Sequence, residues 1–368
     1  MKVFGEGFYR RPYSISFDER DVDPFLQEAS KLETVNGLVL DNAQFTADSP
    51  EHIAKMQKLN YVGLDNVTIS PDHFQQFALL PHVAHFRIDC VDLTDAHLEA
   101  MGNCRSLKSV TLFDTRLSDE GLRSLNQIPS LKELNITLPR AITERGFDSL
   151  AGLPSLEKLF LTHVPIDDQC LVAFSQIKAL QTLHIVGSPE DITISEQGLD
   201  HLASLPNLEV LHLDFIPLVD EELASIGRLR QLKDFQCLGT HVTDKGLEHL
   251  LQLTHLESLR IQEAQLSMET LRSLARSDSV RTVDLGNGLK CSFPERNSGN
   301  YGMPYADNRA DYDQNRRGKA TRSVFCLVGE ILPPLPNTPS AEDPSTTPTE
   351  LPNNFADTIS DPFLPPSE

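Results

Sequence analysis

The feature that most constrains this chain is a repeat. Leu107-x-x-Val110-x-Leu112, Leu131-x-x-Leu134-x-Ile136, Leu156-x-x-Leu159-x-Leu161 and Leu180-x-x-Leu183-x-Ile185 share one pattern. It continues in Leu208/Leu211/Leu213, Leu232/Phe235/Cys237 and Leu256/Leu259/Ile261. Steps of 24 backward reach Val83/Phe86/Ile88, Leu59/Val62/Leu64 and Val35/Leu38/Leu40, and a step forward reaches Val280/Val283/Leu285. Of the ten steps, eight are 24 residues, one is 25 and one is 28. Within each unit the period switches. The first half alternates as a strand with one buried face does, and an apolar residue follows ten places after the start (Ile69, Leu117, Ile166, Val242, Leu266). Leu122, Leu125 and Ile128, echoed by Leu247, Leu250 and Leu253, then form the stripe of a short helix. No such unit can bury its apolar side alone, so the units must stack around one continuous core.

The chain resembles the leucine-rich repeat family. Its Ser118-Asp119-Glu120-Gly121-Leu122 and Thr243-Asp244-Lys245-Gly246-Leu247 segments are most like the T/S-D-x-G-L arrays of bacteria such as planctomycetes, and the repeats are also similar to the cysteine-containing ones of F-box proteins. The resemblance covers residues 35–285 and implies an α/β leucine-rich-repeat solenoid of about 11 repeats, with a curved parallel strand face and short helices on the convex side. It implies a binding scaffold and leaves the partner open. One departure is the absence of an Asn or Cys ladder eight places after each start, where Ala43, Val67, Val91, Thr115, Val164, Thr240 and Ala264 stand. The turn leaving each strand must satisfy its backbone by other means.

The ends differ from the middle. Residues 1–34 are assigned to an N-terminal helical cap, with a half-repeat helix over 23–33 opened by Asp23-Pro24. Residues 286–332 are assigned to an irregular C-terminal cap, in which Val324-Phe325-Cys326-Leu327-Val328 returns as a strand over the last repeat. Residues 333–368 carry ten prolines, six acids and no Lys or Arg, the composition of a disordered tail.

Composition narrows function. A net charge of −21 argues against nucleic acid or an anionic membrane surface as partner, since both need a surplus of Lys and Arg. No apolar run is long enough to span a membrane, the first residues lack the apolar stretch of a secretion signal, and the six cysteines never form a C-x-x-C pair. These features fit a reduced, cytoplasmic setting. Nucleotide-binding, zinc-hydrolase and nucleophile-elbow motifs are missing, so no catalytic residue, cofactor or metal ligand is assigned. His82-x-x-His85 with Cys90 lacks a fourth ligand, and Cys104 and Cys237 fall at core positions. Acids such as Asp95, Asp119, Asp168, Asp220 and Asp244 lie at helix starts, where the helix dipole and caps favour them.

Binding residues should lie on the strand positions that point away from the core, two, four and six places after each start. Asp41, Asp65 and Asp89 form a ladder there, suited to a Lys- or Arg-bearing partner. Phe113, Phe160, Val186 and Leu238, with His184 and His212, form an apolar and imidazole stripe, with Tyr61 and His85 nearer the start. The expectation is a non-catalytic protein that binds another protein along its concave face through Phe113, Phe160, His184 and His212, with Asp41, Asp65 and Asp89 steering a basic region. The alternative, by similarity to F-box repeats, is a substrate-recognition subunit of a ubiquitin-ligase assembly, although residues 1–34 are too few for an F-box. The 28-residue step places four added residues near Ser188-Pro189-Glu190-Asp191, at the edge of the face.

Overall fold

The structure is a computed structural model and describes residues 14–18 and 22–292, except positions 33, 90, 91, 140, 188, 189, 191, 263–265, 278 and 287–289. Its strands are β1 (Ser14–Asp18), β2 (Gly37–Asp41), β3 (Tyr61–Asp65), β4 (His85–Asp89), β5 (Ser109–Phe113), β6 (Glu133–Thr137), β7 (Lys158–Thr162), β8 (Ile166–Asp167), β9 (Thr182–Val186), β10 (Ile192–Thr193), β11 (Val210–Asp214), β12 (Asp234–Cys237), β13 (Ser258–Ile261), β14 (Thr282–Asp284) and β15 (Lys290–Ser292). The helices are α1 (Asp23–Ala29), α2 (Ser49–Ala54), α3 (Pro71–Ala78), α4 (Asp95–Met101), α5 (Asp119–Ser124), α6 (Glu144–Phe147), α7 (Asp168–Phe174), α8 (Glu196–Leu202), α9 (Asp220–Ile226), α10 (Asp244–Leu250) and α11 (Met268–Arg276).

The sheet runs β1-β2-β3-β4-β5-β6-β7-β9-β11-β12-β13-β14-β15, parallel throughout until β15 pairs antiparallel with β14. Its register follows the sequence repeat: Leu38, Val62, Phe86, Val110, Leu134, Leu159, Leu183, Leu211, Phe235, Leu259 and Val283 are successive partners. The fold is a leucine-rich-repeat solenoid. Helices are about 10 Å across and neighbouring strands about 4.8 Å apart, which makes the strand side the concave one.

Both ends carry a strand that the sequence reading did not assign. The N-terminal region is more than a helical half-repeat, because β1 pairs in parallel with β2 from Ser14↔Gly37 to Asp18↔Asp41 and with α1 completes a repeat. At the other end, residues 290–292 are a strand within the segment expected to be irregular. The return strand at 324–328 and the tail at 333–368 lie outside the described residues. Near the 28-residue step, β10 pairs with β8 of the preceding repeat as a separate two-stranded ribbon.

Each repeat feeds one core. In the repeat that starts at Leu156, the side chains of Leu156, Leu159, Leu161, Val164, Ile166, Cys170, Leu171 and Phe174 are all buried. Truncating one such Leu to Ala costs about 2–5 kcal/mol.

Two backbone devices join the repeats. At seven of the eight described positions seven places after a repeat start, Gly187 being the exception, the chain turns out of the strand through a left-handed residue: Asn42, Asn66, Asp114, Leu138, His163 and Phe215 have φ between 43° and 59°, and Gly239 has +67°. The N–H of each of the six donates to the next repeat's carbonyl, at Asp65, Asp89, Thr137, Thr162, Val186 and Leu238, over 2.8–3.1 Å. This ladder does the work that an Asn ladder would otherwise do.

The second device explains the acids at helix starts. Ser118, Thr143, Ser195 and Thr243 each donate both backbone N–H and hydroxyl, over 2.6–2.9 Å, to Asp95, Asp119, Asp168 and Asp220 of the preceding repeat. Gly121, Gly146, Gly198 and Gly246 leave room for these carboxylates, into which a Cβ would run. The S/T-D-x-G-L motif is therefore an inter-repeat clasp, and the helix dipole expected from the sequence is secondary in helices this short.

Candidate functional site

Outward residues stack in three rows along the concave face, because parallel pairing in register puts equivalent positions side by side. The site residues expected from sequence sit on this face, but the structure regroups them.

The first group is centred on Arg87 of β4. Asp41, Asp65, Asp89 and Phe113 are successive register partners at the ends of β2, β3, β4 and β5. Arg87 Nη1 donates to both oxygens of Asp65, at 2.6 and 2.8 Å, and Nη2 lies 3.9 Å from Asp89. Its guanidinium sits 5.4 Å from the centroid of the Phe113 ring, in cation–π range. The acidic ladder is thus partly neutralised from within, and Phe113 joins it instead of standing with Phe160. One cation does not balance the group. Burial, then repulsion from Asp65, pushes the Asp89 carboxyl up despite Arg87, with Asp114 and Asp41 adding to the repulsion. Asp41 Oδ1 is buried without a hydrogen-bond partner.

The second group runs from β7 to β13. Phe160, His184 and His212 are partners in adjacent strands, with ring centroids 6.1 and then 5.0 Å apart in edge-to-face contacts. Beside them on the same face the buried carboxylate of Asp214 lies 3.1 Å from His184 Nε2 and accepts from Gln236 Nε2 at 2.6 Å. Arg260 Nη2 donates to Asp234 Oδ2 at 2.9 Å and lies 3.5 Å from His212 Nε2. His212 Nε2 is also 3.5 Å from Asp234 Oδ1, an ion-pair distance too long for a strong hydrogen bond. Burial opposes ionisation of Asp234, yet His212 and Arg260 outweigh it and hold the carboxyl below the usual range.

Arg87, Asp214, Asp234, Gln236 and Arg260 were not singled out from sequence. Each occupies an outward position two, four or six places after a repeat start, so the step rule locates them. What the rule does not tell is which long side chains reach across two strands.

The third feature is the rim. Leu138 and Phe215 occupy the left-handed turn position and are 51% and 54% exposed. The Phe215 ring lies over Gly239, where a Cβ would approach Cδ1 to 3.1 Å.

No family model matches the chain, and no curated protein matches it. Among solved structures it is similar to an internalin (inlF) from Listeria monocytogenes, with 18% identity over 70% of this chain and 82% of that one and a TM-score of 0.44. It is also similar to an internalin C2 (inlC2) of the same organism, with 19% identity over 59% and 84% and a TM-score of 0.40.

Among the described residues no group of three or more His, Cys, Asp or Glu is arranged to hold a metal ion, and no helix is long and apolar enough to cross a membrane. Cys104, Cys170 and Cys237 are buried, and burial pushes their thiols up, that of Cys237 to about 12. Thiols held protonated in this way are poor nucleophiles.

Proposed function

We propose that this chain is a non-catalytic, cytoplasmic repeat protein that holds another protein against its concave strand face. The observation that carries this reading is the continuous ring row of Phe160, His184 and His212, half-buried on adjacent strands, with Asp214 holding His184 and Gln236 alongside. Rigid, partly exposed rings at the middle of a face are the groups that anchor protein interfaces. Asp41 and Asp89 would attract a basic region of the partner, and Arg87 tempers that field at Asp65. The buried thiols support a scaffold in place of an enzyme.

The ubiquitin-ligase alternative gains no support from the N-terminus. The strand β1 and the helix α1 are already used as a repeat.

Affinity purification with the full chain tests the reading. A partner retained by the native chain and by a Leu251→Ala control on α10's end should be lost from Phe113→Ala plus Phe160→Ala. A partner that stays bound to the double variant sinks the concave-face assignment.

A further inference from the structure

The ring row carries two titratable groups on adjacent strands. His184 and His212 meet edge to face with centroids 5.0 Å apart, and their side chains are 28% and 16% exposed, so water and protons reach both. Imidazole is the side chain that gains charge near about pH 6.5.

The two rings are countered differently. His184 Nε2 lies 3.1 Å from Asp214 Oδ2. The buried Asp214 carboxylate takes its other hydrogen bond from the neutral Gln236 amide, its Oδ1 has no hydrogen-bond partner, and among the described residues no Lys or Arg pairs with it. A proton on His184 turns this hydrogen bond into an ion pair and gives a buried anion the countercharge it lacks. His212 has no such reserve. Its Nε2 lies 3.5 Å from Arg260 Nη2 and 3.5 Å from Asp234 Oδ1. Asp234 already serves Arg260 through Oδ2 at 2.9 Å, and it is held ionised against the effect of burial, so it does not take the proton in place of the ring. A proton on His212 sets two cations on one carboxylate.

The surrounding strands do not correct this imbalance. On β7 the row continues in the uncharged Phe160, and Lys158 at that strand's start lies 3.8 Å from Glu133. The other outward positions of β9 and β11 hold Thr182, Val186 and Val210, with Asp214 the one charge among them. On β12 Gln236 stands between His212 and Arg260 of β13, and Asp284 of β14 is the register partner of Arg260, one strand farther away. On the open face water offsets the excess charge at His212. A partner pressed onto the row removes that water, and an uncompensated charge then becomes costly while a neutral ring remains a good contact. Covering the row favours neutral His212, and by reciprocity a proton on His212 opposes covering.

We propose that His212 is an acid-release switch: the concave face holds its partner while His212 is neutral and lets go as His212 takes up a proton, whereas Asp214 makes the charge on His184 tolerable. This rests on the concave-face reading above and names the regulation of that site.

The test uses peptides without His, selected from a display library on the full-length chain near neutral pH. Peptides of about 12 residues suffice to cross the row at about 3.4 Å per residue. If the complex accepts only neutral His212, a group titrating near about 6.5 lowers affinity about tenfold between about pH 7.5 and about pH 5.5. Wild type should show that fall. His212→Gln, which meets Arg260 and Asp234 without titrating, should bind alike at both pH values, and His184→Gln should keep the tenfold fall. Asp214→Asn removes the countercharge of His184, so both rings must then be neutral and the fall should steepen toward about a hundredfold. Unfolding midpoints at both pH values verify that each variant is folded. A flat wild-type profile, a fall that persists in His212→Gln, or one that disappears in His184→Gln overturns the proposal. If Phe160→Ala removes binding and any of these results is found, the switch fails and the concave-face reading stands. If Phe160→Ala binds like wild type, or no peptide is selected, both fail.

Discussion

Asp89 shows how one carboxylate on this face is balanced. Its folded-state pKa lies above the ordinary value because burial and the neighbouring Asp65 disfavour its charge more than Arg87 favours it. An acid with a raised folded pKa carries a penalty above that pKa, and the penalty disappears below the unfolded value near about 4. Asp89→Asn should therefore raise Tm at pH 7, by no more than about 1 kcal/mol in stability because the side chain is 44% exposed, and the gain should vanish in melts below about pH 4. Asp220 has the opposite sign. Burial raises its pKa, but hydrogen bonds from Thr243 and Gly246 win and hold it low. Its stabilisation is present above about pH 4 and lost as pH falls through its lower folded value. Asp220→Ala, which removes both hydrogen bonds from Thr243 and the one from Gly246, should cost about 1–3 kcal/mol at pH 7, and urea titrations should show the deficit shrinking in acid.

At the scale of elements, none of the helices is self-sufficient. They run from four residues in α6 to nine in α11, below the length at which an isolated helix persists in water. Neighbours hold them in place through the apolar stripe and the clasp. Gly198 tests this directly. On helix propensity alone, Gly198→Ala should stabilise α8 by about 1 kcal/mol. Its new Cβ would instead meet the Asp168 carboxylate and come within 3.1 Å of Asp168 Cα, a backbone atom that cannot swing away. The variant should unfold at lower urea, by about 1–3 kcal/mol, and a gain in midpoint would refute the clasp.

Across the whole molecule, stability is a sum of repeats and the interfaces between them, so an end repeat protects the next one. Deleting residues 1–34 would uncover the β2 edge along its pairing with β1, from Gly37 to Asp41. Such a chain should melt earlier, exchange the amides of β2 faster and associate through the open edge, whereas a half-helix cap would shield much less. The strand positions, the inward residues and the solenoid were legible in the sequence because burial on one face of a strand forces a period of two, and stacking forces identical units at a fixed step. Phe160, His184 and His212 fell into one row for the same reason. The strand at 14–18 was not legible, since Ser14-Ile15-Ser16-Phe17-Asp18 lacks the leucine pattern and becomes a strand by pairing with β2. Nor was the grouping of side chains: Arg87 reaching back to Asp65 and over the Phe113 ring, and Arg260 reaching Asp234 beside His212, depend on long side chains crossing between strands. Periodicity sets where a residue stands, because backbone pairing and burial repeat with the chain. What it touches depends on side-chain length, rotamer and the neighbouring charge, none of which repeats, and for that the tertiary structure was required.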